Sequence, residues 1–229
     1  MTLIFPYYEN PRMLTEHLKF WKQYPDWLKI IVVDDGSPNN PASKILSSSL
    51  KNVELYRIKK DVAWNSKAAR NIGFYMANEG WVIISGIDHI FPVEIIESLT
   101  NKKLDSTKYY WFQRYHQAKK KWIHRARGTM LMTREMFWKV GGFDEALAGY
   151  YGGETAFHKN LDKVAKREMF DDLYVVYYGD TFIDATTKMK RDGSYSVWNH
   201  PELVKRIQKN RHQYKPVTFQ FEWEKIELT

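Results

Sequence analysis

With 229 residues, 44% hydrophobic and 27% charged, the chain has the composition of a globular protein large enough for one substantial domain, not of a disordered or fibrous one. It holds no cysteine, which excludes disulfides and thiolate metal sites and suits a reducing, cytoplasmic setting. A net charge of +8 and a pI near 9.3 favour anionic partners such as nucleotide diphosphates, anionic lipid headgroups or nucleic acid.

The first hundred residues alternate strand and helix. Leu3 to Phe5 is a short apolar strand stopped by Pro6, and the opening MTLIFPYY is too short and too soon broken to be a signal peptide. Pro11 opens a helix with Leu14, Leu18 and Trp21 on one face. Leu28 to Val33 is apolar except for Lys29 and rich in β-branched residues, as in a strand buried on both faces, and it ends in the turn Asp34-Asp35-Gly36-Ser37-Pro38. A helix from about Pro41 to Leu50, a strand Val53 to Ile58, and a helix with Ala68, Ala69, Ile72 and Tyr75 on one side follow. Trp81 to Ser85 is the fourth strand, and after Gly86-Ile87-Asp88-His89 the residue Pro92 starts a helix of Val93, Ile96 and Leu99. This order predicts a doubly wound, mostly parallel sheet with its ligand crevice beyond the strands' carboxyl ends, where Asp34, Asp35 and Asp88 all fall.

After residue 105 the alternation stops. Tyr109 to Tyr115 and Lys121 to Arg125 read as a hairpin around Lys119 to Lys121, Thr129 to Met132 as a strand, and Thr133 as the cap of a helix ended by Gly141-Gly142. A helix from Glu154 to Val164, a strand Leu173 to Tyr178, a polar loop over Asp180 to Ser196 and a helix over 200 to 212 complete a small, partly antiparallel C-terminal part with an aromatic tail. One domain is expected over 1–229, with the pattern changing between residues 1–104 and 105–229. No run of about 20 apolar residues could span a membrane.

Four motifs stand in order: Pro6-Tyr7-Tyr8-Glu9-Asn10 beside Val33-Asp34-Asp35-Gly36-Ser37; Asn65 to Gly73 with its Ala-Arg-Asn-x-Gly core; Asp88-His89-Ile90-Phe91-Pro92; and Val140 to Glu145 followed by Gly152-Gly153-Glu154. Together, over residues 2 to about 162, they resemble the family 2 glycosyltransferases of the GT-A fold. The resemblance implies a nucleotide-diphosphate donor, UDP-linked by default, held by Pro6, Tyr8, Asp34, Asp35 and Arg70. It implies Mn²⁺ or Mg²⁺ on Asp88, with His89 either a second ligand or a spacer. It also implies a hydroxyl on a glycan or lipid-linked acceptor, activated by Glu154, with Asp144 or Asp184 as fallback bases, and residues 1–104 as the nucleotide-binding half and 105–229 as the acceptor-binding half. Two positions depart from the family pattern: Gly86 replaces the first acid of the metal motif, and Thr155 the aspartate that follows the glutamate.

Residues read directly give the same chemistry with open alternatives. Asp34 and Asp35 suit either a nucleobase edge or a strand-ending turn, Arg70 a diphosphate or a surface, and Glu154 a base or a helix-dipole acid. The loop Thr186 to Ser194 is expected to close on the diphosphate through Lys188, Lys190 or Arg191, with Trp198 and His200 on the acceptor side. Competing readings are transfer to a modified base in DNA and a degenerate sugar-nucleotide-binding module. A nucleotidyltransferase is disfavoured because Tyr7 to Pro11 lacks a glycine-rich phosphate loop.

Overall fold

The computed structural model describes residues 1–62, 65–123, 125–126, 128–179, 196–210 and 219–229. The expected diphosphate loop, with Lys188, Lys190 and Arg191, and the fallback base Asp184 lie outside those residues.

The strands β1 (Thr2–Tyr7), β2 (Lys29–Asp34), β3 (Val53–Ile58) and β4 (Trp81–Ile84) form a parallel sheet in the order β3-β2-β1-β4. Because strand side chains alternate, Leu3, Phe5 and Tyr7 of β1 join Met13, Leu14 and Trp21 of α1 (Pro11–Trp21) on one face. Ile4, Ile31 and Val33 join Ala68, Ala69, Ile72 and Phe74 of α2 (Ser66–Met76) on the other. Two apolar faces per strand are what the continuous Ile-Ile-Val-Val run of β2 needs. A Cβ at Gly73 would run into the Cγ2 of Ile4, so the missing side chain sets how closely α2 lies on β1.

The chain continues through β5 (His89–Ile90), α3 (Val93–Ser98), β6 (Lys108–His116), β7 (Lys121–Ile123), β8 (Met130–Thr133), α4 (Arg134–Lys139), α5 (Glu154–Val164), β9 (Lys166–Tyr177), α6 (Pro201–Asn210) and β10 (Trp223–Ile226). The whole sheet runs β10-β3-β2-β1-β4-β8-β6-β9-β5, with β7 on β6. β8 is antiparallel to both β4 and β6, which extends the parallel centre into a mixed second half. Thr133 caps α4, its Oγ1 accepting the Met136 amide at 3.1 Å.

Three expectations are corrected. The helix expected from Pro41 to Leu50 is only a 3₁₀ turn, Ala42–Lys44; Asp34 takes the Ala42 amide, and Ser47 to Ser49 favour turns over helix. β9 starts seven residues earlier than expected, at Lys166 rather than Leu173, because its first residues are polar and exposed and gain their strand conformation from pairing with β6. The tail is not confined to the second half: β10 adds antiparallel to β3, with Trp223 edge-on to Tyr56 at 5.7 Å.

Candidate active site

The carboxyl ends of β1, β2 and β4 converge with the N-termini of α2 and α5. On the first rim, the Asp35 amide continues the ladder onto the Tyr7 carbonyl at 2.8 Å. Asp34 is buried, and its two oxygens accept the Ser37 and Ala42 amides, both at 2.8 Å. Burial pushes its carboxyl up, partly countered by those amides. Of the sequence's two readings for Asp34 the geometry is that of the turn: both oxygens are engaged inside the protein. Gly36 makes this turn at φ 73, and a Cβ there would sit 2.8 Å from the Lys60 carbonyl.

Asp35 instead reaches the start of α2, its Oδ2 accepting the Asn65 amide at 3.0 Å. Pro6, half-buried, pairs with Val33. Beside it the Tyr8 hydroxyl stands 3.5 Å from Asp61 and is pushed up to about 12 by burial and by Asp61, Glu9 and Asp35. Glu9, in the left-handed region at φ 45, holds this rim together: its carboxylate accepts the Asn39 and Asn40 amides at 2.8 Å and Asn40 Nδ2 at 2.9 Å.

The opposite rim is built by one face of α2. Lys67, Arg70 and Asn71 stand at i, i+3 and i+4 and so lie together. The Asn71 amide brackets Phe143, donating to its carbonyl and accepting its N–H, both at 2.9 Å, and also donates to Glu145 at 2.9 Å. Arg70 lies over the Phe143 ring at 5.4 Å and 3.5 Å from the carboxylate of Glu154, the first residue of α5. Burial pulls the guanidinium down, opposed by Glu154 and by Asp88, so both acids act on Arg70. Lys67 is buried, and its Nζ donates to the Tyr150 carbonyl at 2.9 Å. One turn beyond Glu154, burial holds His158 below the ordinary histidine range.

At the end of β4, Asp88 folds back over Gly86: a Cβ on Gly86 would overlap the Asp88 Oδ1. His89 Nδ1 lies 3.2 Å from that oxygen and 3.4 Å from the Thr129 hydroxyl. Burial works to raise the Asp88 carboxyl, but His89, its own amide and Arg114 together hold it below the usual range. Among the described residues no cluster of three or more His, Cys, Asp or Glu could enclose a metal. One carboxylate beside one imidazole fits a divalent ion whose remaining positions are filled by a diphosphate and water, and does not fit a cage made by protein alone.

Several buried polar atoms around this crevice have no hydrogen-bond partner among the described residues: both of the Asn65 amide, Ser66 Oγ, Arg70 Nε, His89 Nε2 and His158 Nδ1. Buried polar groups are ordinarily satisfied, so their gathering here marks a place for a polar ligand. The structure thus brings Tyr8, Asp35, Arg70, Asp88, His89 and Glu154 around one crevice. It does not bring Asp144 in as a base: Arg206 grips that carboxylate at 2.7 and 2.9 Å, and it caps the Ala146 amide. Sequence reasoning gave no role to Lys67, Asn71, Glu145 or His158. The i, i+3, i+4 spacing of Lys67 with Arg70 and Asn71 was the available signal.

A strand-edge crevice with an acid at each of three strand or helix ends belongs to the GT-A class of nucleotide-sugar transferase folds. The sequence profile described as glycosyl transferase family 2 matches residues 2–164, and the chain belongs to that family. Similar solved structures include residues 1–349 of S. aureus TarS, at 13% identity and TM-score 0.68, over 91% of this chain and 64% of that one. The same TarS fragment in complex with UDP-GlcNAc gives 13% identity and TM-score 0.68, over 91% and 65%. The mannosyltransferase PcManGT of Pyrobaculum calidifontis, in complex with GDP-Man and Mn²⁺, gives 16% identity and TM-score 0.61, over 94% and 65%. The chain therefore spans just under two thirds of the length of each of these structures. No curated protein matches it in sequence. Among the described residues no helix is long and apolar enough to cross a membrane.

Proposed function

We propose that this chain transfers a sugar from a nucleotide-diphosphate donor, a UDP-sugar in the first instance, to a hydroxyl of a glycan or lipid-linked acceptor. The observation that carries the reading is Arg70, largely covered and 3.5 Å from Glu154 where the sheet's carboxyl edge meets the start of α5, with Asp88 within electrostatic reach. A fixed guanidinium at that point suits a diphosphate. Asp35 and Tyr8 form the nucleoside end, Asp35 as acceptor for a base or ribose donor and Tyr8 as an apolar wall. Pro6 shapes the rim, while Asp34 serves by holding the turn.

Asp88 would hold a divalent ion, with His89 orienting its carboxylate or sharing the metal; such an ion offsets the charge of the departing diphosphate. Glu154 would take the proton of the acceptor hydroxyl, with Arg70, 3.5 Å away, aiming that carboxylate. On the acceptor side Tyr151 and Trp198 are 58% and 49% exposed. A backbone bridge from Tyr151 to Ser196 joins their segments next to Gly152 and Glu154. Exposed rings beside the base suit the apolar face of a pyranose, which favours a glycan acceptor. Lys190 and Arg191 remain part of this proposal as diphosphate contacts.

A thermal-shift panel of UDP-, GDP-, dTDP- and CMP-sugars, each with and without Mn²⁺, tests it on the wild type and Asp88→Ala. A shift with one nucleotide class, strengthened by Mn²⁺ and lost in the variant, is expected. No shift with any donor would overturn the transferase reading.

A further inference from the structure

Lys67 is among the largest side chains in the protein that are fully buried, at 1% exposure. A lysine taken out of water is costly unless something holds its ammonium. Its surroundings are the turn that leads into Glu154. Nζ donates to the Tyr150 carbonyl at 2.9 Å. Gly153, at φ 85, packs so closely that a Cβ there would lie 3.4 Å from the Lys67 Cε and 2.7 Å from Leu147 Cδ1. Burial lowers the ammonium's pKa, and Glu154, Asp144 and Asp35 pull against that while Arg70 adds to it.

The segment this lysine touches is tied on its other side by the Val197 amide, which donates to the Tyr151 carbonyl at 3.0 Å, and by the His200 ring against Tyr150 at 4.6 Å; Lys67 supplies its tie to α2. α5 starts from Gly153 with no side-chain cap, and Gly149, Gly152 and Gly153 all have positive φ. Such a glycine-rich turn is entropically expensive to hold in one conformation. Phe143 and Glu145 are bracketed by Asn71 further upstream, and Lys67 anchors the last stretch before Glu154.

We infer that Lys67 is a positioning residue for Glu154: its ammonium straps the Tyr150–Gly153 turn to α2 and thereby sets where the Glu154 carboxylate stands. The catalytic half of this inference rests on the proposed role of Glu154; the mechanical half does not. The strap explains why a charged residue occupies a buried position in the first turn of α2. It also predicts that length and charge are both needed at residue 67, since only a long side chain ending in a donor reaches the carbonyl.

The chain's lack of cysteine permits a clean test. Lys67→Met and Lys67→Cys are made, and the second is also alkylated with bromoethylamine in denaturant and refolded, which restores an ammonium at nearly the original length. Hydrogen exchange is measured on the peptides covering 148–156 and on those covering β1 to β3. Expected is an acceleration of about tenfold or more in 148–156 alone for both unmodified variants, reversed by aminoethylation. Exchange unchanged in 148–156, or accelerated equally in β1 to β3, would overturn the strap.

In parallel, nucleotide release is followed from UDP-GlcNAc and GDP-mannose with Mn²⁺, with Glu154→Gln as reference. Expected is a fall of about 10- to 100-fold in kcat at a donor KM within about twofold of wild type, again restored by aminoethylation. A kcat unaffected in Lys67→Met while Glu154→Gln is impaired would overturn the positioning role. If Glu154→Gln is itself unimpaired, the reading of Glu154 fails, and the exchange data still decide the strap.

Discussion

Arg70 stands 3.5 Å from Glu154, one on the first turns of α2 and the other at the start of α5, so the residues proposed to meet the donor and the acceptor touch each other. The two should nonetheless separate in kinetics. Glu154→Gln is expected to lower kcat by about 10²–10⁴ at unchanged donor affinity, as for loss of a general base. Arg70→Ala is expected to weaken donor binding as well, because it removes the cation proposed to meet the diphosphate and leaves Glu154 without its partner. Calorimetry with the donor, beside steady-state nucleotide release, checks both.

Asp34 and Asp35 are neighbours with opposite expected phenotypes. Removing Asp34 leaves the buried amides of Ser37 and Ala42 without their acceptor, a loss of about 2–4 kcal/mol for two buried donors. Asp34→Ala should therefore show a clearly lowered denaturation midpoint. Asp35→Asn keeps an acceptor for the Asn65 amide, so its stability should change little while nucleotide affinity falls. Urea unfolding and nucleotide titration of the two variants, side by side, distinguish these outcomes.

His17 gives the fold a pH dependence. Its ring is buried against Phe5 and Trp21, Nε2–H donates to the Ile87 carbonyl at 2.7 Å, and burial lowers its pKa from 6.5 to about 4. The unfolded chain takes up this proton first as the pH falls. The contribution is therefore complete above 6.5 and is lost progressively as the pH falls towards 4. A full shift of that size corresponds to about 3 kcal/mol. Unfolding free energies between pH 7 and pH 4 should fall less steeply in His17→Phe than in the wild type. An identical slope would mean the ring is not held neutral.

Gly73 is required by contact, not by conformation. The Cγ2 of Ile4 occupies the place of a Cβ, and Ile4 is branched and buried in the sheet, so it has nowhere to turn. Gly73→Ala should cost about 1–3 kcal/mol by overpacking, despite alanine's better helix propensity. In double-mutant cycles, Ile4→Val should leave the cost of Gly73→Ala unchanged because valine keeps the Cγ2, whereas in an Ile4→Ala background Gly73→Ala should cost less than in the wild type. Thermal midpoints of the wild type and the single and double variants test this.

Much of this protein was legible in its residues because the information is local. The two-faced apolar run of β2, the turn chemistry after it, Pro11 at the first helical position and the Thr133 cap all act within a few residues, and Glu154–Val164 has the expected bounds. The motif order along a βα alternation was enough to put the acids at one edge of a sheet. What only the tertiary structure decided depends on partners far along the chain. Asp34 belongs to a turn because Ala42 comes back to it, and β9 begins at Lys166 because β6 is there to pair. The tail becomes a strand because β3 has an edge to fill. Lys67 is buried because a glycine turn 83 residues away closes over it. Hydrogen bonds and close packing between distant segments leave no periodicity in a sequence, so such assignments wait for the fold.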